Sequence, residues 1–236
     1  MRNWKFKESD FNDFPVYEGR DLGITWTREK TKIKIWAPSA QRIFFRLYTS
    51  AQVGKPEKEF QLIPHENGLW IYEIQEDLEG LFYTFQVRDG VGWLKEGPDI
   101  YAKATGVNGT RGMIIDPQKS NPPNWESDLR HTVPNPTDMV IYEVHIRDFS
   151  MSPSSGIKNK GKYIGFSELG TKLPTGETTG VDHLKELGIT HVHLLPVADF
   201  YTVDELNPAA HYNWGYDPLN YNTPEGWYST EPSDGT

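Results

Sequence analysis

Paired carboxylates are the first residues here that could do chemistry. Glu143 and Asp148 lie in Val140 to Ser150 (VIYEVHIRDFS), and two carboxyl groups can share nucleophile and proton-donor work, as in glycoside hydrolysis, when about 5 to 5.5 Å apart. Read as one strand from Met139 to Phe149, the segment points these side chains to opposite faces and separates them by about 16 Å of chain. They cannot flank one bond. His191 and His193, two apart in Thr190 to Val197 (THVHLLPV), share a strand face and could chelate zinc if His145 converged as a third ligand. No carboxylate orienter is identifiable, and alternating polar positions on a strand explain the spacing without a metal. No metal is assigned.

A third set of residues is aromatic. Tyr212, Trp214 and Tyr216 recur in a short loop with Asp217 beside them, and Trp36, Trp70 and Trp93 punctuate the first half. Trp36 and Trp70 sit inside strand patterns, where packing is the default. Trp93, among the glycines of Gly90 to Gly97, is the exposed candidate.

Composition narrows the partners. The chain has 236 residues, with 33 acidic against 24 basic side chains and a formal net charge of -9. No basic stripe exists to drive counterion release, so nucleic acid and anionic membranes are excluded as partners. With no cysteine, disulfide scaffolds, thiolate metal sites and cysteine nucleophiles are excluded too. No apolar stretch approaches the ~20 residues that span a bilayer, and Met1 to Lys7 carries charges without the apolar run of a secretion signal. A cytoplasmic location is expected unless a leader has been removed.

The elements that must position these residues fall into two parts. Thr31 to Ala37, Arg42 to Tyr48, Leu69 to Ile74 and Leu81 to Arg88 read as strands. Turn residues at Thr27–Lys30, Glu66–Gly68 and Asp89–Gly92 punctuate them, predicting a β-sandwich to about Ile115. Asp116 to Asp138 holds five prolines and can keep neither helix nor central strand. After it, the Met139–Phe149 strand, a helix over Val181–Leu187 ended by Gly188 and the Thr190–Val197 strand predict a parallel βαβ unit. Tyr212 to Thr236 reads as loop. Two parallel strands need further strands and helices for stability, so the chain alone is expected to expose apolar surface and to aggregate.

Tyr212-Asn213-Trp214-Gly215-Tyr216-Asp217-Pro218 (YNWGYDP), followed by Pro224-Glu225-Gly226, resembles the signature of type I pullulanases, starch-debranching enzymes of the α-amylase superfamily. VIYEVHIRDFS resembles that superfamily's first barrel strand, Lys160 to Phe166 (KGKYIGF) the pullulanase loop after it, and Leu194 to Val197 the end of the second strand. Upstream, Ile35 to Pro38 (IWAP), Gly68-Leu69-Trp70, Pro98 to Ala102 and Asn108 to Gly112 resemble a β-sandwich module of the glycogen-binding type. The resemblance runs from about Tyr17 onward in the family's order.

This resemblance implies an N-terminal extension over 1–20, an immunoglobulin-like β-sandwich over 21–115 and a proline-rich linker over 116–137. Residues 138–236 would then be the incomplete start of a (β/α)8 barrel, a fold of about 250 residues. It implies hydrolysis of α-1,6-glucosidic bonds in pullulan and branched starch or glycogen, with retention, by the parent protein. The family's catalytic carboxylates follow later strands, so none is assigned in this chain, which alone is expected to be inactive. Tyr216 would stack on the glucose before the cleaved bond, Asp217 would bind sugar hydroxyls, Trp214 would buttress the loop and Trp93 would contact glucan. A second chain carrying the rest of the barrel is an expected partner. No cofactor is required, and calcium is assigned to no residue. The alternatives are a non-catalytic α-glucan-binding chain and a glycogen-branching or isoamylase-type relative.

Overall fold

The computed structural model describes residues 12–129, 131–207 and 211–235, so the Met1–Lys7 start lies outside the described residues. The chain divides into two compact units. The first comprises residues up to Ala104 with Thr110–Asp116, the second Thr105–Gly109 with Pro117 onward.

Alternation builds the first unit. In Arg42–Tyr48 (β3), Ile43, Phe45 and Leu47 are buried to 1% exposure or less, while Phe44 and Arg46 lie on the other face, as a period of two dictates. β3 pairs antiparallel with Phe82–Arg88 (β7) from Arg42 opposite Arg88 to Tyr48 opposite Phe82. Thr31–Trp36 (β2) pairs likewise with Leu69–Ile74 (β6). Gly23–Trp26 (β1), Lys58–Gln61 (β4), Ile63–Pro64 (β5) and Gly112–Met113 (β8) complete two four-stranded sheets, ordered β1-β2-β6-β5 and β4-β3-β7-β8. Their inner faces meet on Ile33, Phe45, Leu47, Trp70, Ile74 and Phe85. The four extra strands are short, and Lys58–Gln61 is polar, which suits edges that must not recruit further strands.

Arg111 fastens the 50–54 turn to this unit. Its Nη1 donates to the carbonyls of Ser50 at 2.7 Å and Val53 at 2.9 Å, its Nη2 to Gly54 at 3.0 Å, and the guanidinium lies 3.6 Å from the Tyr48 ring centroid. A lysine cannot reproduce a planar fork that both stacks and serves three acceptors. Arg111→Lys is expected to cost roughly 1–3 kcal/mol, read as a lower urea midpoint at constant slope. An unchanged midpoint would refute this role.

Between Asp116 and Asp138 the backbone makes isolated 3-10 turns, Pro117–Ser120, Trp125–Ser127 and Pro136–Asp138, with neither strand nor α-helix. In the second unit Ile141–Val144 (β9) runs parallel to His191–Leu194 (β10). Gly180–Glu186 forms a helix between them, closed where the Gly188 N–H reaches the Lys185 carbonyl at 3.0 Å. This is the expected βαβ order.

Two expectations are corrected. The strand expected over Met139–Phe149 stops at Val144, where the ladder with β10 ends, and Ile146–Ser150 turns into a helix (α1; Gly180–Glu186 is α2). Burial drives the change: Ile146, 2% exposed, enters a core with Phe200, Val203, Trp227 and Tyr228. Asp148 is therefore on a helix, and the strand-face argument does not reach it. Tyr212–Thr236, read as loop, contains Pro218–Pro224 (β12), paired antiparallel with Ala198–Phe200 (β11) through shifted register, and a 3-10 turn over Gly226–Tyr228. No described helix is long and apolar enough to cross a membrane.

Candidate functional site

The Tyr212–Pro218 loop is organised by Asn213. Its Nδ2 donates to Thr202 Oγ1 at 2.6 Å and Asp217 Oδ1 at 2.8 Å, and its Oδ1 accepts from the Gly215 N–H at 2.7 Å. Gly215 has φ +88, and a Cβ there would lie 2.7 Å from the Pro196 carbonyl oxygen. Only glycine meets both demands. The next residue, Tyr216, is turned outward and is 71% exposed.

His145, buried between β9 and α1, supports the loop from beneath. Its Nε2 lies 3.0 Å from both the Asn213 carbonyl and the Tyr228 hydroxyl. A carbonyl only accepts, so Nε2 carries the proton, and Nδ1 is left without a hydrogen-bond partner. The imidazole stacks on Tyr212 at 5.3 Å and meets Trp214 edge-on at 6.2 Å. Tyr212 donates to Asp148 at 2.6 Å, and burial, followed by that carboxylate, pushes its hydroxyl up to about 12. Trp214 touches His145 and Tyr212 on one side yet is 58% exposed. Asp217 has both oxygens engaged, by Asn213 and by Thr202 at 2.7 Å. Burial raises its pKa, but these hydrogen bonds outweigh it and hold the carboxylate below its ordinary value.

A groove of about 1050 Å³ opens beside this loop, lined by Tyr142, Glu143, His145, Asp148, His183 and Trp214 among others. Glu143 pairs with His193 at 3.3 Å, Asp148 with Arg147 at 3.0 Å. His191 Nδ1 contacts Thr190 Oγ1 at 2.8 Å. With His193 on Glu143 and His145 on Asn213, the three histidines form no metal-binding group among the described residues.

The sequence reading missed a buried acidic cluster. Asp199, Glu205 and Glu225 bring one oxygen each to within 4.8 Å of one another. Glu225 accepts from the Trp227 N–H at 2.7 Å and the Phe200 N–H at 2.8 Å. The Glu205 N–H donates to Asn108 Oδ1 at 2.9 Å. Burial, with mutual repulsion, pushes Glu225 up to about 8 and Glu205 up to about 7, and burial takes Asp199 to about 6. Lys162, beside them, donates to the Trp227 carbonyl at 2.8 Å. The three acids are 26 positions apart end to end in unlike contexts (PVADF, VDEL and TPEG), so spacing alone gave no signal.

In the first unit Trp93 stacks on Phe44 at 5.6 Å with Arg88 6.0 Å from its ring, and remains 36% exposed. Trp70 is core, 6% exposed. Trp36 departs from the packing expected of it: at the last position of β2 it is 39% exposed, its indole N–H bound to the Pro15 carbonyl at 3.1 Å.

Comparison with known proteins places these features. Residues 21–117 match carbohydrate-binding module 48 (isoamylase N-terminal domain). The pullulanase of Bacillus subtilis is 40% identical over 95% of this chain, which covers 30% of that protein. Pullulanase A of Streptococcus pneumoniae is 29% identical over 98% of the chain, which covers 19% of it. The crystal structure of Paenibacillus barengoltzii pullulanase in complex with maltohexaose and alpha-cyclodextrin superposes with a TM-score of 0.92 at 47% identity, covering 97% of this chain and 35% of that one. The chain thus spans less than a third of the length of these curated relatives. Residues 21–117 carry the match to carbohydrate-binding module 48, and the chain as a whole is homologous to pullulanases, consistent with the N-terminal portion of a type I enzyme.

Proposed function

We propose that this chain is the N-terminal part of a pullulanase that hydrolyses α-1,6-glucosidic bonds in pullulan and branched starch or glycogen with retention. The observation that carries the reading is the YNWGYDP loop standing beyond β10, with Tyr216 exposed on a scaffold of Asn213, His145 and Thr202. The β9-α2-β10 unit is the beginning of a (β/α)8 barrel in this reading, and barrel enzymes place substrate on loops at the C-terminal ends of their strands. The catalytic carboxylates belong to later barrel segments. Glu143 and Asp148 are tied to His193 and to Arg147 and Tyr212, which suits positioning better than acid and nucleophile work.

Tyr216 offers a flat apolar face to a pyranose ring. Asp217, with both oxygens engaged, orients the loop as well as meeting sugar hydroxyls, and Trp214 buttresses it. Trp93 on its Phe44 platform is the glucan contact of the first unit. The partner is a neutral α-glucan, consistent with a surface that carries no basic stripe. The 236 residues by themselves are expected to be inactive, completed by the rest of the barrel.

Product analysis tests the function. The enzyme carrying this chain is expected to convert pullulan to maltotriose with the anomeric configuration kept. Transfer of glucan branches without release of maltotriose would assign it instead to the branching-enzyme alternative. Turnover by the purified 236-residue chain, persisting after removal of contaminating amylases, would overturn its inactivity.

A further inference from the structure

Two like charges face each other on the outer side of the sandwich. Arg42 and Arg88 are register partners at one end of the β3–β7 ladder, both exposed, and among the described residues neither guanidinium has a carboxylate partner. Side chains directly opposite in an antiparallel pair have Cβ atoms about 4.5–5.5 Å apart, and like charges there destabilise the sheet. Arg46, four residues on along the same face, shows the ordinary remedy: its Nε donates to Glu59 at 2.6 Å and its Nη1 to Glu96. The neighbouring acids are engaged elsewhere. Asp89 Oδ1 accepts from the Val91 and Gly92 N–H groups, each at 2.8 Å, and Glu96 also accepts from Tyr48 and Thr84.

The arginine pair adjoins an aromatic platform. Trp93 stacks on Phe44, which follows Arg42 on that face, and the Arg88 guanidinium lies 6.0 Å from the indole centroid. An antiparallel bridge between Arg88 and Trp93 fixes this neighbourhood through the backbone. A neutral sugar on the indole leaves both cations uncompensated, and a single carboxylate would leave one. A phosphate monoester carries about −1.5 to −2 charges at pH 7, which matches two guanidiniums, and each planar fork can hold phosphate oxygens bidentately. Two arginines fall far short of the basic stripe that nucleic acid requires.

We infer that Trp93, Arg42 and Arg88 form a subsite for phosphorylated α-glucan, the indole carrying a glucose ring and the arginine pair the phosphate monoester attached to it. The inference rests on the reading of Trp93 as the glucan contact and narrows the class of chain that this contact selects. The charges are exposed, so the selection is screened by salt.

Binding of the full chain to amylopectin bearing glucose 6-phosphate groups, and to the same polymer after phosphatase treatment, tests this. The phosphorylated polymer is expected to bind about tenfold more tightly at low ionic strength, the preference vanishing near 1 M salt, where the Debye length is about 3 Å. Arg42→Gln and Arg88→Gln together should erase the preference, read as the ratio of the two affinities, with near-UV circular dichroism unchanged. Arg28→Gln, the same charge change on an exposed turn, should keep it. Free glucose 6-phosphate should compete at lower concentration than inorganic phosphate, because only the former also covers the indole; equal competition would make this a plain phosphate site and overturn the sugar half of the inference. Equal affinity for both polymers, with Trp93→Ala still weakening binding, would overturn the phosphate subsite and leave the Trp93 contact standing. Binding of neither polymer, or binding indifferent to Trp93→Ala, would overturn that contact and the subsite with it. A preference that survives the double arginine variant would place the phosphate elsewhere and overturn the assignment.

Discussion

Tyr216→Ala, made in the full enzyme that carries this chain, is expected to lower kcat/KM on pullulan about tenfold to a hundredfold. Covering an aromatic face with a sugar ring is worth about 1.5–3 kcal/mol by the area it removes from water, and each 1.36 kcal/mol is about tenfold in rate. The loop geometry makes the substitution clean. Tyr216 is 71% exposed, and the bonds that shape the loop run through Asn213, Gly215 and Asp217, so the scaffold should survive its loss. Tyr216→Phe keeps the face and should retain most activity. Unmodified kinetics in Tyr216→Ala would remove the residue from the substrate site. A fall with equal loss in Tyr216→Phe would point to the hydroxyl instead of the ring.

Phe45→Ala is expected to be the most damaging single change in the first unit. Phe45 is 0% exposed, with Phe85, Tyr83 and Phe60 at ring distances of 5.2, 5.6 and 6.5 Å. It belongs to the core cluster in which the inner faces of the two sheets meet. Truncating a buried phenylalanine costs about 3–5 kcal/mol, a large part of the 5–15 kcal/mol that typically holds a domain together. Urea unfolding followed by tryptophan fluorescence should show the midpoint fall sharply. A change below about 1 kcal/mol would mean that the sandwich core is not where the packing places it.

The central strands of the sandwich were legible because they are runs rich in aromatic and β-branched residues between turn signals, and in Arg42–Tyr48 every second residue is buried. Arg42–Tyr48 and Leu69–Ile74 were read to the residue. Edge strands such as Lys58–Gln61, polar and short, carry no such periodicity. In the second unit the local pattern misled where tertiary burial won: Ile146 continues the strand alternation, yet it turns into the core as the first residue of a helix. Pro218–Pro224 shows the opposite failure. Prolines at both ends argue against a strand, yet it pairs with β11 through a shifted register, with Asn220 bridging to Asp199 and the Glu225 N–H bound to the Val197 carbonyl beyond the strand ends. The Tyr216 loop was legible as a motif, since aromatic and glycine identities are its content. The acidic cluster was not, because Asp199, Glu205 and Glu225 meet only after β12 has folded back.

Thr105–Gly109 lies inside the 21–117 module by sequence but belongs to the second unit by packing. Asn108 holds the Glu205 backbone and donates to Asp204 at 3.2 Å. The module is therefore not a cassette that recombination can lift out at a single cut. A graft bounded at residues 21 and 117 would carry Asn108 away, and the recipient would have to supply an equivalent loop or lose the support beneath its acids. Exchange of such modules among relatives should accordingly favour swaps in which this five-residue excursion travels with the unit it serves.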